Sequence, residues 1–189
     1  MTKGFTLIEI MITVFILSIA IVGVYSSFSV MLVLTSSSTD RLIATYLAQE
    51  GMEIVANIRA NNWLTCLTPG CYSTNLLGSN DYYWEVDYTT SPASDTLTWL
   101  KPWPSRGNCQ NDTSPGDCLN VDVNGFYSYL TIGTYKQTKF KRKLTIMSLL
   151  EGSAMKVVSE VFWREKPTIL NASSTQASIK VEEVLYDWY

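Results

Sequence analysis

The hydrophobic pattern changes period several times along the chain. From Phe5 to Leu34 almost every position is apolar or small, and the only charged residue is Glu9. A bilayer core takes about 20 helical residues, so this run is long enough to cross one. It exceeds the roughly 7–15-residue apolar core of a secretory signal, and no small-residue cleavage site follows it. A buried core helix is the other alternative, and the length disfavours it. The expectation is an anchor that stays on the protein.

After a polar transition, "TSSSTDR", helical periodicity returns in "LIATYLAQEGMEIVANIRANNW". Ile43, Leu47, Gly51, Ile54 and Ile58 fall within an arc of about 80° at the helical angle, which predicts an amphipathic helix lying on the protein's own sheet. Glu50 interrupts that stripe and so needs a partner, either from the sheet or from another subunit. A continuous helix from Phe5 to about Asn61 would be on the order of 85 Å long.

From Trp63 to about Tyr135 the chain is rich in Asn, Ser, Thr, Asp, Gly and Pro, punctuated by aromatics. Here "DYYWEVDYT" reads as a strand and "NVDVNGFYSYLTI" as a hairpin around Asn124-Gly125. The last third is β-rich: "KFKRKLTIMSLL", "MKVVSEVFWREK" and "SIKVEEVLYDWY" alternate as strands do. In the first of these, Phe140, Leu144 and Ile146 point one way and Lys139, Lys141 and Lys143 the other. The predicted class is α+β, a long N-terminal helix packed on a C-terminal antiparallel sheet. Its divisions are 1–4, 5–34 for the apolar helix, 35–62 for its amphipathic half, 63–135 for the loop-rich region and 136–189 for the sheet.

Composition narrows the chemistry. The 189 residues include no histidine, so serine–histidine and cysteine–histidine catalysis in their usual form are excluded, together with the commonest metal ligand. No acidic pair stands in a catalytic motif, so neither an enzyme nor a cofactor is expected. The four cysteines, Cys66, Cys71, Cys109 and Cys118, follow the anchor in an even count, which favours disulfides outside the cytoplasm. Their spacing fits no zinc ribbon. Three pairings are open, and the local one, Cys66–Cys71 with Cys109–Cys118, is preferred because both pairs sit in turn-rich stretches.

Two weaker constellations compete with plain structural readings. Asn120, Asp122 and Asn124 with Gly125 resemble the start of a calcium loop, but the acid that should follow is Thr131, so a turn is favoured. Five basic residues between Lys136 and Lys143 suggest a nucleic-acid surface. The chain carries 14 Lys and Arg against 17 Asp and Glu, so its charge gives that reading no support. A solvated strand face, or an edge guarded by lysines, is preferred.

The start of the chain is more specific. "KGFTLIEIMI" resembles the class III signal of type IV prepilins and pseudopilins: a short leader bearing Lys3, then Gly4, Phe5, Thr6, Leu7, Ile8 and Glu9 inside an apolar helix. The resemblance implies cleavage between Gly4 and Phe5 by a prepilin peptidase and methylation of the new amino group on Phe5. It makes Thr6 and Glu9 assembly residues, the Glu9 carboxylate attracting the N-terminal amine of a neighbouring subunit. Two charges that are each costly in hydrocarbon become tolerable as a pair. Family members often carry a glycine and a proline within the apolar helix; here Gly23 is its only glycine and no proline precedes Pro69.

The resemblance thus implies an inner-membrane precursor with its globular part outside the cytoplasm. An assembly platform would then draw it into a helical filament of copies of itself or other pilins. A minor pilin with an adhesive role and a type II secretion pseudopilin are the alternatives.

Overall fold

A computed structural model describes residues 4–65, 76, 82–88, 101–102, 118–129, 133–149, 153–165 and 175–186. One helix, α1 (Leu7–Thr65), is followed by eight strands: β1 (Tyr82–Glu85), β2 (Lys101–Pro102), β3 (Asn120–Asp122), β4 (Tyr127–Ser128), β5 (Tyr135–Gln137), β6 (Lys141–Leu149), β7 (Ala154–Arg164) and β8 (Gln176–Tyr186). The chain divides into two compact units, residues 1–40 and 41–189. The fold is α+β, a long N-terminal helix with a C-terminal antiparallel sheet, in a pilin-like arrangement.

In the first unit nothing breaks the helix, because no proline occurs and Gly23 is solitary. All described residues up to Phe28 are exposed. The hydroxyls scattered through this apolar run are turned inward on the helix itself: Ser18 donates to the Val14 carbonyl at 2.7 Å, Ser27 to Gly23 at 3.0 Å and Thr35 to Met31 at 2.9 Å. Such back-bonding hides polar groups that hydrocarbon would leave unsatisfied.

In the second unit the remainder of α1 lies against a five-stranded sheet in the order β2-β1-β6-β7-β8, every neighbour antiparallel. The helix buries Ala44, Leu47, Ala48, Gly51, Met52, Val55 and Ile58. The predicted stripe is therefore rotated: Leu47, Gly51 and Ile58 are inside, while Ile43 and Ile54 are only half-buried. Small residues decide this, since Ala44, Ala48 and Gly51 let the helix backbone approach the sheet more closely than isoleucines would.

Two apolar clusters result. One joins Met52, Val55 and Ile58 to Trp84, Leu144, Ile146, Met155 and Val157; the other joins Ala44, Leu47 and Ala48 to Leu119, Phe140, Val161 and Trp163. A second sheet, β4-β3-β5, stands apart in hydrogen bonding. Its β3–β4 turn is a hairpin with three residues in the loop, and Gly125 takes the positive φ of 89° that such loops reserve for glycine.

One expectation is corrected. The basic run is not one solvated face or guarded edge: β6 pairs with β7 along its whole length and with β1 at Leu144–Ile146, while the exposed Lys136 lies apart in β5. Lys141 is buried and Arg142 has no exposed side-chain surface. Lys143 meets Glu160 at 3.5 Å and lies 5.6 Å from the centre of the Phe162 ring. Lys141 and Arg142 are thus withdrawn from any phosphate backbone.

Candidate functional site

The N-terminal residues singled out from the sequence lie together at the start of α1. Thr6 is the N-cap: its carbonyl accepts from the Ile10 N–H at 3.3 Å, and its hydroxyl accepts from the Glu9 N–H at 3.3 Å. Glu9 occupies the third helical position, where a carboxylate meets the positive end of the helix dipole. Thr-Leu-Ile-Glu is thus a capping-box sequence, a signal present in the chain that the family resemblance overshadowed. Gly4 and Phe5 precede the cap, with Phe5 80% exposed. A Cβ built on Gly4 would meet nothing within 4 Å, so packing in the folded chain does not require glycine there.

Of the cysteines, Cys118 is buried and disulfide-bonded, while Cys66, Cys71 and Cys109 lie outside the described residues. Asp122 is committed to its turn. Its Oδ1 accepts from the Asn124 N–H at 2.8 Å and from the Phe126 N–H at 2.9 Å. The Phe126 bond, with smaller help from Asn124 and Gly125, holds the carboxyl below its ordinary value. Among the described residues no three His, Cys, Asp or Glu side chains gather where a metal could be held. Asn120 is buried in β3 and Asn124 exposed in the loop, so the three suggested calcium ligands do not share one environment.

The sequence reading did not single out Arg142. Its guanidinium donates to Glu50 Oε2 at 3.1 Å, to the Leu47 carbonyl at 2.7 Å and to the Val86 carbonyl. The partner required by Glu50 therefore comes from the sheet. The signal was available: Arg142 has the same strand parity as Phe140, Leu144 and Ile146, which face the helix. Around it, the Asp87 carboxylate accepts from the Tyr129 N–H at 2.7 Å, and the Tyr129 hydroxyl bonds the Arg142 backbone. These contacts organise the fold.

Comparison with known proteins agrees with the N-terminal geometry. The family model for the prokaryotic N-terminal methylation motif matches residues 1–25. No curated protein and no solved structure matches the chain. With Gly4, Phe5 and Glu9 in their places at the head of an apolar helix, the motif supports a type IV pilin-like prepilin carrying a class III signal.

Proposed function

We propose that the protein is a structural subunit of a type IV pilus-like filament, made as an inner-membrane prepilin and cut after Gly4. Phe5 is then N-methylated, and the subunit polymerises through α1. The observation that carries this reading is the apolar helix surface from Leu7 to Phe28, exposed around its whole circumference. A surface of that kind is tolerated in hydrocarbon or against other apolar helices, and a filament core offers the second where the bilayer offers the first. Prepilin peptidase and an assembly platform are the implied partners, and the globular part lies outside the cytoplasm. There the pairing Cys66–Cys71 and Cys109–Cys118 would close two short loops, each stabilising by roughly 2–3 kcal/mol.

A minor pilin with a binding role is the second reading. It is favoured by the exposed rings of Tyr88 and Phe126, whose centroids lie 5.5 Å apart, near the exposed Val123 of the same hairpin loop. Mass spectrometry of filaments sheared from native cells tests both. An abundant chain beginning at methylated Phe5 supports the major subunit. The same processed chain in traces, or only in membranes, supports the minor pilin or a pseudopilin, and an intact Met1 beside active peptidase overturns both.

A further inference from the structure

The apolar residues of the helix face that meets the sheet only partly fix where along its axis it should sit. If α1 slid by one turn so that each contact position received the residue four places earlier, most of them would still be filled by apolar side chains. Ile43 would replace Leu47, Ala44 would replace Ala48, Ala48 would replace Met52, and Ile54 would replace Ile58. Burial of apolar area has no direction, so it resists such a slip only through the volume lost where Ala48 would replace Met52 and Gly51 would replace Val55.

Charge and close contact resist it more sharply at three positions: Asp40 would enter the fully buried place of Ala44, and the places of Gly51 and Glu50 both face Arg142. Gly51 lies where a Cβ would stand 2.8 Å from Ser159 Oγ and 3.0 Å from Arg142 Cδ. The slip would bring Leu47 to that place, and a leucine cannot enter where a methyl group already collides. The same slip would carry Tyr46 to the place of Glu50. Arg142, wholly buried, would then lose its carboxylate, the interaction that makes a buried guanidinium tolerable. The guanidinium also reads the helix backbone, through the Leu47 carbonyl, and the Val86 carbonyl after β1. It therefore measures the distance between one turn of the helix and a fixed point of the sheet.

We propose that Arg142 and Gly51 are a register lock, with Arg142 as the positioning residue. Together with the exclusion of Asp40 from the buried place of Ala44, they select the single turn at which α1 engages the sheet, and they contribute specificity in place of net stability. The interior shows the trade. Arg142 Nε and Ser159 Oγ are both buried without a hydrogen-bond partner among the described residues, a cost that an all-apolar seam would not carry. In a filament, identical subunits need one setting each; that consequence rests on the function proposed above, whereas the lock does not.

The test is photo-crosslinking in the full chain, held in detergent micelles, with benzoylphenylalanine replacing Ile43 and the products mapped by tandem mass spectrometry. Ile43 borders the cluster that contains Val161 and Trp163, with Ala177 and Ile179 packed against it. In the otherwise native chain the adducts should fall in one window on β7 and β8. Asp40→Ala with Ser159→Ala removes the charge a slip would bury and the atom nearest a Cβ at Gly51, and with Arg142 retained it should keep one window. Adding Arg142→Met should split the adducts between that window and a second displaced by about two strand residues, since one helical turn advances about 5.4 Å against about 3.3 Å per strand residue. Glu50→Ala added to the same pair in place of Arg142→Met leaves Arg142 its two carbonyls and should split less. It also decides the matter if Arg142→Met does not fold. A single unmoved window in the variants that fold, whatever their stability, would overturn the lock.

Discussion

The hydroxyl of Tyr129 bonds both backbone groups of Arg142, accepting from its N–H at 3.3 Å and donating to its carbonyl at 2.9 Å. The β1–β6 ladder runs to Trp84 opposite Leu144, and β1 ends one residue later. Two residues further along β6 the strand partner is missing, and the phenol stands in for it. Burial pushes the pKa of this phenol far above its ordinary value, so it keeps the proton it donates. Tyr129→Phe would leave a buried N–H and a buried carbonyl without this partner, and should lower unfolding stability by about 2–3 kcal/mol in denaturant titration. A loss below about 0.5 kcal/mol would mean that water takes the place of the hydroxyl.

Gly51 and Ser159 form a second pair with opposite expectations. Gly51→Ala puts a methyl group against Ser159 Oγ and Arg142 Cδ, and overpacking of this kind costs about 1–3 kcal/mol. Ser159→Ala removes a buried hydroxyl that has no partner among the described residues, so it should be neutral or stabilising. The double variant should recover part of the Gly51→Ala loss, because the nearest obstructing atom is gone. Purely additive denaturation energies would show that Arg142, not Ser159, sets the limit.

The outer ion pairs give a pH signature. Glu182 accepts from Lys156 at 2.6 Å and from Lys180 in the same strand, and these bonds, Lys156 first, hold its carboxyl down to about 2 from an ordinary 4.5. A carboxyl with a lower pKa in the folded state contributes stability that is complete above about 4.5 and is lost as pH falls towards about 2. Glu182→Gln should therefore lower stability slightly above about pH 4.5, leave it unchanged near about pH 2, and so flatten the acid limb of the stability curve between them. The effect should be modest and weaker in salt, since the carboxylate side chain is 38% exposed. An unchanged acid limb would assign acid unfolding to other groups.

Much of the fold was readable because its periods are clean. Leu144 and Ile146 alternate with Lys143 and Thr145, and the long strands β6, β7 and β8 lie where that alternation places them. The helix was readable from its length, but its buried face was not, because the chain offered isoleucines as well as alanines. Only the sheet's demand for close approach chooses between them. Glu50 was legible as a residue needing a partner, and Arg142 was hidden by its neighbours: four lysines nearby made a mixed-parity run look like one surface. Composition hides such a residue, whereas strand parity reveals it. β5 (Tyr135–Gln137) went unread because three residues carry too little pattern to distinguish a strand from a loop.

For the leader, the expected outcome separates recognition from packing. A side chain at Gly4 meets no neighbour, so Gly4→Leu should leave folding and membrane insertion unaltered. On the prepilin reading it should abolish cleavage, giving a precursor of unchanged mass on intact mass spectrometry. Normal processing of this variant would show that glycine is not read at the site.

Two proposed roles for Glu9 can be separated by a single substitution. As the third helical residue after the Thr6 cap, it holds the capping-box position, where glutamine is accepted as well as glutamate. As the partner of a neighbouring subunit's amine, it serves through its negative charge, which glutamine lacks. Glu9→Ala disturbs both and so decides nothing between them. If charge pairing drives assembly, Glu9→Gln should be inserted and cut normally and yet yield few filaments, as Glu9→Ala does. If the cap is what matters, Glu9→Gln should assemble like the native chain. Sheared-filament yield from cells in which the variant is the sole subunit gives the answer, and native yield with glutamine would remove the pairing role from Glu9.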